Sequence, residues 1–225
     1  MAEDETTAAA READARYYAD NYPDYEAQNP ERKIGYYRRH VDAFFDKSCP
    51  KRLHDMGCAY AKFLKSLDPS WEIFGSDLNT YAIEQARQRV ARGTFTVAGV
   101  TADSPFAAVT FGAVTAFDVL EHVPDLEAAA RGIDAQLAPR GILVFVVPVY
   151  DGLTGPIVRL LDRDPTHVHK KPRRFWIDWA ERHFQVVHWE GVLRYLLPGG
   201  FSYVHAPGRI CRGHLPAILV ACRKR

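Results

Sequence analysis

The chain has 225 residues, of which 47% are hydrophobic, and a formal net charge of +1. That is enough apolar material for one α/β domain, or one domain with a small cap, and it argues against global disorder. The near-neutral balance favours no nucleic-acid partner, and Cys49, Cys58, Cys211 and Cys222 form no C-x-x-C pair, so neither a zinc knuckle nor a disulfide framework is predicted and a reducing, cytoplasmic setting is the natural one.

The acidic, Ala-rich start (1–16) lacks the basic and apolar segments of a signal peptide. Residues 1–14 read as frayed or weakly helical. Tyr17, Tyr18, Tyr22, Tyr25, Tyr36 and Tyr37 crowd the next stretch and suggest an amphipathic cap rather than core. A helix is predicted over 32–47, with Ile34, Tyr37, Val41 and Phe44 on one face. The expected division is therefore a tail and helical cap over 1–47 and a catalytic domain over 48–225.

From residue 51 an alternation begins. Strands are predicted at 51–56, 71–77, 94–99, 112–120 and 141–149. Helices are predicted between them at 59–67, 79–93 and 126–139, with Asn79 as an N-cap. Near-continuous apolar strands separated by helices imply a parallel sheet covered on both faces. A charged, His-rich loop (151–172) leads to a helix at 173–183 and strands at 184–192 and 217–224. The Gly/Pro-containing connection at 198–216 permits an antiparallel last pair. The basic run "HKKPRRF" (169–175) reads as a solvated turn and helix start, with attraction of an anionic substrate as the alternative. No apolar run approaches the ~20 residues of a membrane span, so no membrane partner is expected.

The stretch "RLHDMGCAYA" (52–61) places Asp55 at a strand end, followed by Gly57 and small residues. In an open parallel sheet, ligands bind beyond the C-terminal strand ends. Small side chains let a ligand approach the backbone. Asp77, twenty residues after Gly57, ends the second strand, where a carboxylate can accept both hydroxyls of a ribose. A nucleoside-containing cofactor is implied. A dinucleotide needs a G-x-G-x-x-G turn, and Gly57-Cys58-Ala59-Tyr60-Ala61 has one glycine, which disfavours a nicotinamide oxidoreductase. In S-adenosylmethionine an amino acid and a sulfonium replace pyrophosphate, and Asp55 suits its positive end.

Two further motifs name a family. Asp118-Val119-Leu120-Glu121-His122-Val123 follows the fourth strand, and Leu137-Ala138-Pro139-Arg140-Gly141 precedes the fifth. Together with Asp55-x-Gly57, they make residues 50 to 190 resemble the class I S-adenosylmethionine-dependent methyltransferases of small-molecule type. The resemblance implies a Rossmann-like three-layer α/β sandwich, its seven-stranded, mostly parallel sheet ending in an antiparallel strand. It also implies an enzyme that moves a methyl group from S-adenosyl-L-methionine to a small-molecule acceptor. By the same resemblance, Asp55 and the backbone of Gly57 and Ala59 hold the methionine end. Asp77 binds the ribose, Leu78 lies against the adenine, and Asp118 faces the sulfonium. Comparable caps place an aromatic and a cation near the cofactor, here Tyr25 and Lys33.

The chain departs from the family pattern. Ala59 and Ala61 replace two glycines; alanine is small enough there if its φ is negative, so altered cofactor affinity rather than loss is expected. The position that often carries an adenine-reading Asp is Val100 or Thr101, so adenine recognition falls to Thr101, to backbone groups or to Asp103. Methyl transfer needs an aligned, deprotonated nucleophile, and histidine is the natural base. His122 and His167 are the candidates, with His169 beside them and hydroxyl methylation favoured. His54, His183 and His188 read as surface or core residues. Two alternatives stand beside this. One is a cofactor-binding relative without turnover. The other is a metal-dependent O-methyltransferase using Asp118, Glu121 and His122 with His167 or His169, though the preferred reading has no metal. Sequence alone gives neither acceptor nor oligomeric state.

Overall fold

The computed structural model describes Arg16 and residues 25–101, 103–106, 108–162, 164–196, 203–208 and 214–225. The expectations on residues 1–14, Tyr17, Tyr18, Tyr22 and Cys211 lie outside these.

Two N-terminal helices, α1 (Tyr25–Gln28) and α2 (Glu31–Phe44), precede the alternation. Then come β1 (Arg52–Met56), α3 (Lys62–Ser66), β2 (Glu72–Asp77), α4 (Thr80–Arg89), β3 (Thr94–Val97) and β4 (Phe111–Phe117). A 3-10 turn at Leu120–His122 leads to α5 (Leu126–Gln136), β5 (Leu137–Pro148), α6 (Gly155–Leu161), α7 (Arg173–His183), β6 (Gln185–Leu196), β7 (Tyr203–Gly208) and β8 (Ala217–Arg223).

The strand order is β3-β2-β1-β4-β5-β8-β6-β7. The first five strands are parallel, and β8 enters antiparallel between β5 and β6. The seven expected strands are all present with the last one antiparallel. An eighth, β7, pairs with β6 inside the connection at 198–216. Pro207 and Gly208 weaken its strand pattern, and a Pro is tolerated there because the strand sits at the sheet edge.

Alternation along the buried strands feeds two cores, one on each face. Leu53, Ile73, Ile142 and Val144 meet α2, α3 and α4 through Val41, Leu64 and Ile83. Val114, Phe145, Val147 and Val220 meet α5 and α7 through Ile133, Trp176 and Trp179. The result is a three-layer sandwich.

Caps act where they are expected: the Asn79 side chain accepts from the Ala82 amide at 2.8 Å, and Asp125 accepts from Ala128 at 2.9 Å. Other boundaries differ. The helix expected over 59–67 shrinks to α3, because residues 57–61 form a turn. The loop at 151–172 contains α6, which opens on Gly155-Pro156. Tyr36 and Tyr37 are each only 2% exposed, so they are core and not an amphipathic cap; Tyr37 stacks on Phe117 at 4.2 Å. The basic run is structural as well. Lys170 pairs with Asp162 at 2.9 Å, and Arg173 is buried against Asp151 and the Leu215 carbonyl.

Phe145 is fully buried and meets Trp179 edge-on at 5.7 Å. Phe145→Ala should therefore lower the unfolding free energy by about 3–5 kcal/mol, measured by urea denaturation.

Candidate functional site

The order β2-β1-β4 makes a switch point, since the chain leaves β1 for β2 on one side and β4 lies on the other. A cavity of about 990 Å³ opens beyond these strand ends. Tyr25, Lys33, Asp55, Asp77, Leu78 and Thr101 line it, as do Gly57, Ala59, Asp118, His122 and His167. The structure thus brings these predicted residues together on one wall, but leaves out Asp103 and His169. It adds Asn29, Tyr37, Phe117, Glu121, Asp162 and Asp164 to the wall. Asp162 and Asp164 were legible only as neighbours of His167 in "DRDPTH"; nothing in their spacing marks them.

The turn after β1 is left-handed. Gly57 has φ +69°, and a Cβ there would lie 2.3 Å from Val119 Cγ2, so glycine is required twice over. Ala59 (φ 46°) and Ala61 (φ 57°) also have positive φ. The condition of negative φ is therefore not met, and the turn carries strain of about 1–2 kcal/mol for each alanine. The turn's amides are also committed internally. Those of Gly57 and Cys58 donate to the Ser76 carbonyl at 2.7 and 3.0 Å. The Ala59 amide donates to Asp77 Oδ2 at 3.0 Å. The backbone of Gly57 and Ala59 can therefore offer carbonyl oxygens to a ligand, but these two amides are already used.

Asp55 pairs in register with Thr115 on β4, and the Thr115 hydroxyl donates to it at 2.6 Å. The carboxyl is 4% exposed. Burial pushes its pKa up to about 7, aided by the Asp77 charge and opposed by Thr115. Asp77 also accepts from the Asn79 amide at 3.0 Å, which fixes its carboxylate across the cavity mouth. Leu78 is 76% exposed on the wall. Val100 and Thr101 line the cavity, whereas Asp103 does not; its carbonyl accepts from the Thr101 hydroxyl at 3.1 Å.

Lys33 is buried on α2, bonded to Asn29 Oδ1 at 3.1 Å and 4.0 Å from Asp118. Asp118 is itself left-handed (φ 60°). Tyr25 packs on Tyr60 at 4.4 Å, and burial raises its phenol pKa.

Beside these groups the 3-10 turn and the loop after α6 bring two histidines together, with ring centres 4.6 Å apart. His122 Nδ1 meets the Thr166 hydroxyl at 2.8 Å. Burial, then His167, lowers its pKa, so it is neutral near pH 7. His167 Nδ1 lies 2.9 Å from Asp162 Oδ1, and its Nε2 lies 4.0 Å from the buried Glu121 carboxylate. Glu121, His122 and His167 offer ligand atoms within 4.8 Å of one another. Asp118 and His169 are not in that group. His169 Nε2 bonds the Val123 carbonyl at 2.8 Å and its ring lies against Phe175, so it braces the loop instead.

A methyltransferase-domain family model matches residues 16–204. The chain belongs to this methyltransferase family. Its cofactor is S-adenosylmethionine. No curated protein matches the sequence. Among solved structures, this methyltransferase resembles the N-methyltransferase NodS of Bradyrhizobium japonicum in complex with S-adenosyl-L-homocysteine, at 17% identity and TM-score 0.62, over 96% of this chain and 98% of that one. A possible histamine N-methyltransferase of Thermotoga maritima matches at 13% identity and TM-score 0.64, over 92% and 98%. The YcgJ protein of Bacillus subtilis matches at 18% and 0.63, over 87% and 99%. At these identities the likeness concerns the fold. No helix among the described residues is long and apolar enough to cross a membrane.

Two predictions follow from the turn and the buried acid. Ala59→Gly relieves left-handed strain and should raise stability by about 1 kcal/mol in urea titrations, net of glycine's extra unfolded entropy. The folded pKa of Asp55 lies above its ordinary 3.8, so the group costs stability as pH rises from about 4 to 7, and the cost is constant above that. Asp55→Asn should therefore stabilise the cofactor-free methyltransferase at pH 8, by roughly 4 kcal/mol at most, and the gain should fade towards pH 4.

Proposed function

We propose that this methyltransferase methylates a hydroxyl of a small-molecule acceptor, with His167 as the base. The observation that carries the reading is the Asp162–His167 pair, at 2.9 Å, on the wall of the cavity that Asp55 and Asp77 also line.

The residues present fit the cofactor. Asp55 is a buried carboxyl beside a second carboxylate, a setting that favours a cation. An exposed leucine on a cavity wall suits a flat apolar group such as adenine. In this reading Asp55 and the Gly57 and Ala59 carbonyls hold the ammonium, and Lys33 with Tyr25 meets the carboxylate end. Asp77 takes the ribose hydroxyls with the acceptor capacity its two amide bonds leave. Leu78 and Thr101 flank the adenine, and Asp118 faces the positive centre. Bound S-adenosylmethionine supplies a methyl group on a cationic sulfur, open to in-line attack.

The chain's own contribution is alignment and proton handling. Asp162 accepts from His167 Nδ1–H, which leaves the Nε2 lone pair to take a proton from the acceptor hydroxyl. The Tyr150 hydroxyl also donates to Asp162 and keeps that carboxylate in place. Asp162 and Glu121 then flank the imidazolium that forms. Neutral His122, held by Thr166, gives the acceptor a polar wall without a competing charge. Helix α2, in the expected 1–47 segment, lays its apolar face, with Ile34, Tyr37 and Val41, on the core of the expected 48–225 domain.

One observation favours a second reading. The Nδ1 atoms of His122 and His167 both have partners, and the Glu121, His122 and His167 ligand atoms cluster. A divalent ion there would lower the hydroxyl's pKa in place of the base.

Formation of S-adenosylhomocysteine with a panel of phenols, sugars and amines tests the acceptor class; turnover of amines alone would refute hydroxyl methylation. His167→Ala and Asp162→Asn should each lower kcat, by about 10²–10⁴-fold for the histidine, with cofactor affinity unchanged. Activity abolished by a chelator and restored by Mg²⁺ or Mn²⁺ would transfer the role to the metal. Calorimetry should show affinity for S-adenosylhomocysteine rising with pH up to about 7, as Asp55 ionises. Asp77→Ala should abolish most of that affinity.

A further inference from the structure

A second group of ionisable side chains lies away from the cavity, between α2 and β6. Tyr36 and His40 are one helical turn apart on α2. His188 and Glu190 lie two residues apart on β6, so their side chains share a face. A register shift between Val186 and His188, the mark of a β-bulge, sets that face. None of the four lines the cavity.

We propose that His40, His188 and Glu190 form a zinc-class metal site that pins helix α2 to strand β6. His40 Nε2 is 2.9 Å from Glu190 Oε1, and His188 Nε2 is 3.8 Å from Glu190 Oε2. All three ligand atoms lie within 4.8 Å of one another. Ligands about 2.0–2.1 Å from a tetrahedral ion stand roughly 3.3 Å apart, so small side-chain adjustments close the site. Two imidazoles and one carboxylate, with room for water, are a donor set that zinc accepts.

The hydrogen-bond chemistry argues for a positive charge at this place. His40 Nδ1 is 2.9 Å from the Tyr36 carbonyl, which can only accept, so Nδ1 carries the hydrogen. His40 Nε2 then faces a carboxylate and must hold either a proton or a cation. The outer contacts are those of a ligated site. The Tyr36 carbonyl fixes the His40 tautomer, and the Tyr36 hydroxyl donates to Glu190. Phe44 covers the His188 ring at 5.2 Å. Helix α2 also carries Lys33, Ile34 and Tyr37 to the cavity wall, so an ion here holds the helix that forms part of that wall.

The test uses the full chain carrying His167→Ala, so that the cavity cluster contributes no second site. After chelator treatment it is titrated with Zn²⁺ alone by calorimetry. One zinc per chain is expected. His188→Ala, at a side chain one-third exposed, should abolish the event, as should Glu190→Gln. Tyr36→Phe removes only an outer contact and should weaken zinc by about 10–100-fold. Co²⁺ added to the same His167→Ala chain needs no further variant. It should give visible bands of low-coordinate cobalt that Zn²⁺ displaces. Absence of zinc binding, octahedral cobalt bands, or binding unchanged by His188→Ala would each overturn the proposal.

Discussion

The molecule is organised around two carboxylates at the ends of neighbouring parallel strands. Asp55 lies one residue before the end of β1 and Asp77 ends β2, beside the switch point, and parallel pairing sets their strands side by side. Burial of Asp55 next to the Asp77 charge opposes its ionisation. Holding two carboxylates together without a cation costs the folded chain stability that hydrophobic residues of similar size would not. In the proposed reading, the ribose hydroxyls and the positively charged amino-acid end of S-adenosylmethionine supply what these two acids lack.

Strain gathers in the same place. Ala59, Ala61 and Asp118 hold left-handed backbone around the cavity, and Gly57 holds it with them. The internal hydrogen bonds of the turn keep it in this form, with Ser76 and Asp77 accepting from three consecutive amides. The alanines narrow the approach to the backbone compared with glycines. They also leave carbonyl oxygens as the turn's available polar groups, which suits the positive end of an amino acid better than its carboxylate. In the proposed reading the carboxylate end meets Lys33 of α2, a buried lysine on the wall.

The histidines divide by their partners. His54 is buried in the sheet between Gln136 and Ser76, at 2.6 and 2.9 Å, and burial lowers its pKa to about 4, so it stays neutral and structural. His169 braces a loop. His167 is set apart by the carboxylates around it, with Asp162 on one nitrogen and Glu121 facing the other.

The sequence by itself determined the alternation, the parallel sheet, and the strand-end positions of Asp55 and Asp77; the antiparallel last strand and Asp118 came with the family resemblance. Those features are local: apolar runs, caps such as Asn79, and small residues after a strand all act within a few residues. Three things were decided only by the tertiary structure. The sign of φ at Ala59 and Ala61 depends on hydrogen bonds to Ser76 and Asp77, residues that β2 brings close. The burial of Tyr36 and Tyr37 depends on α2 docking against the sheet, which tyrosine content alone cannot reveal. The pairings of His167 with Asp162 and Glu121, and of His40 with Glu190, join residues whose sequence separation carries no motif. The His167–Glu121 and His40–Glu190 contacts arise from how distant elements pack, which no single stretch of chain sets.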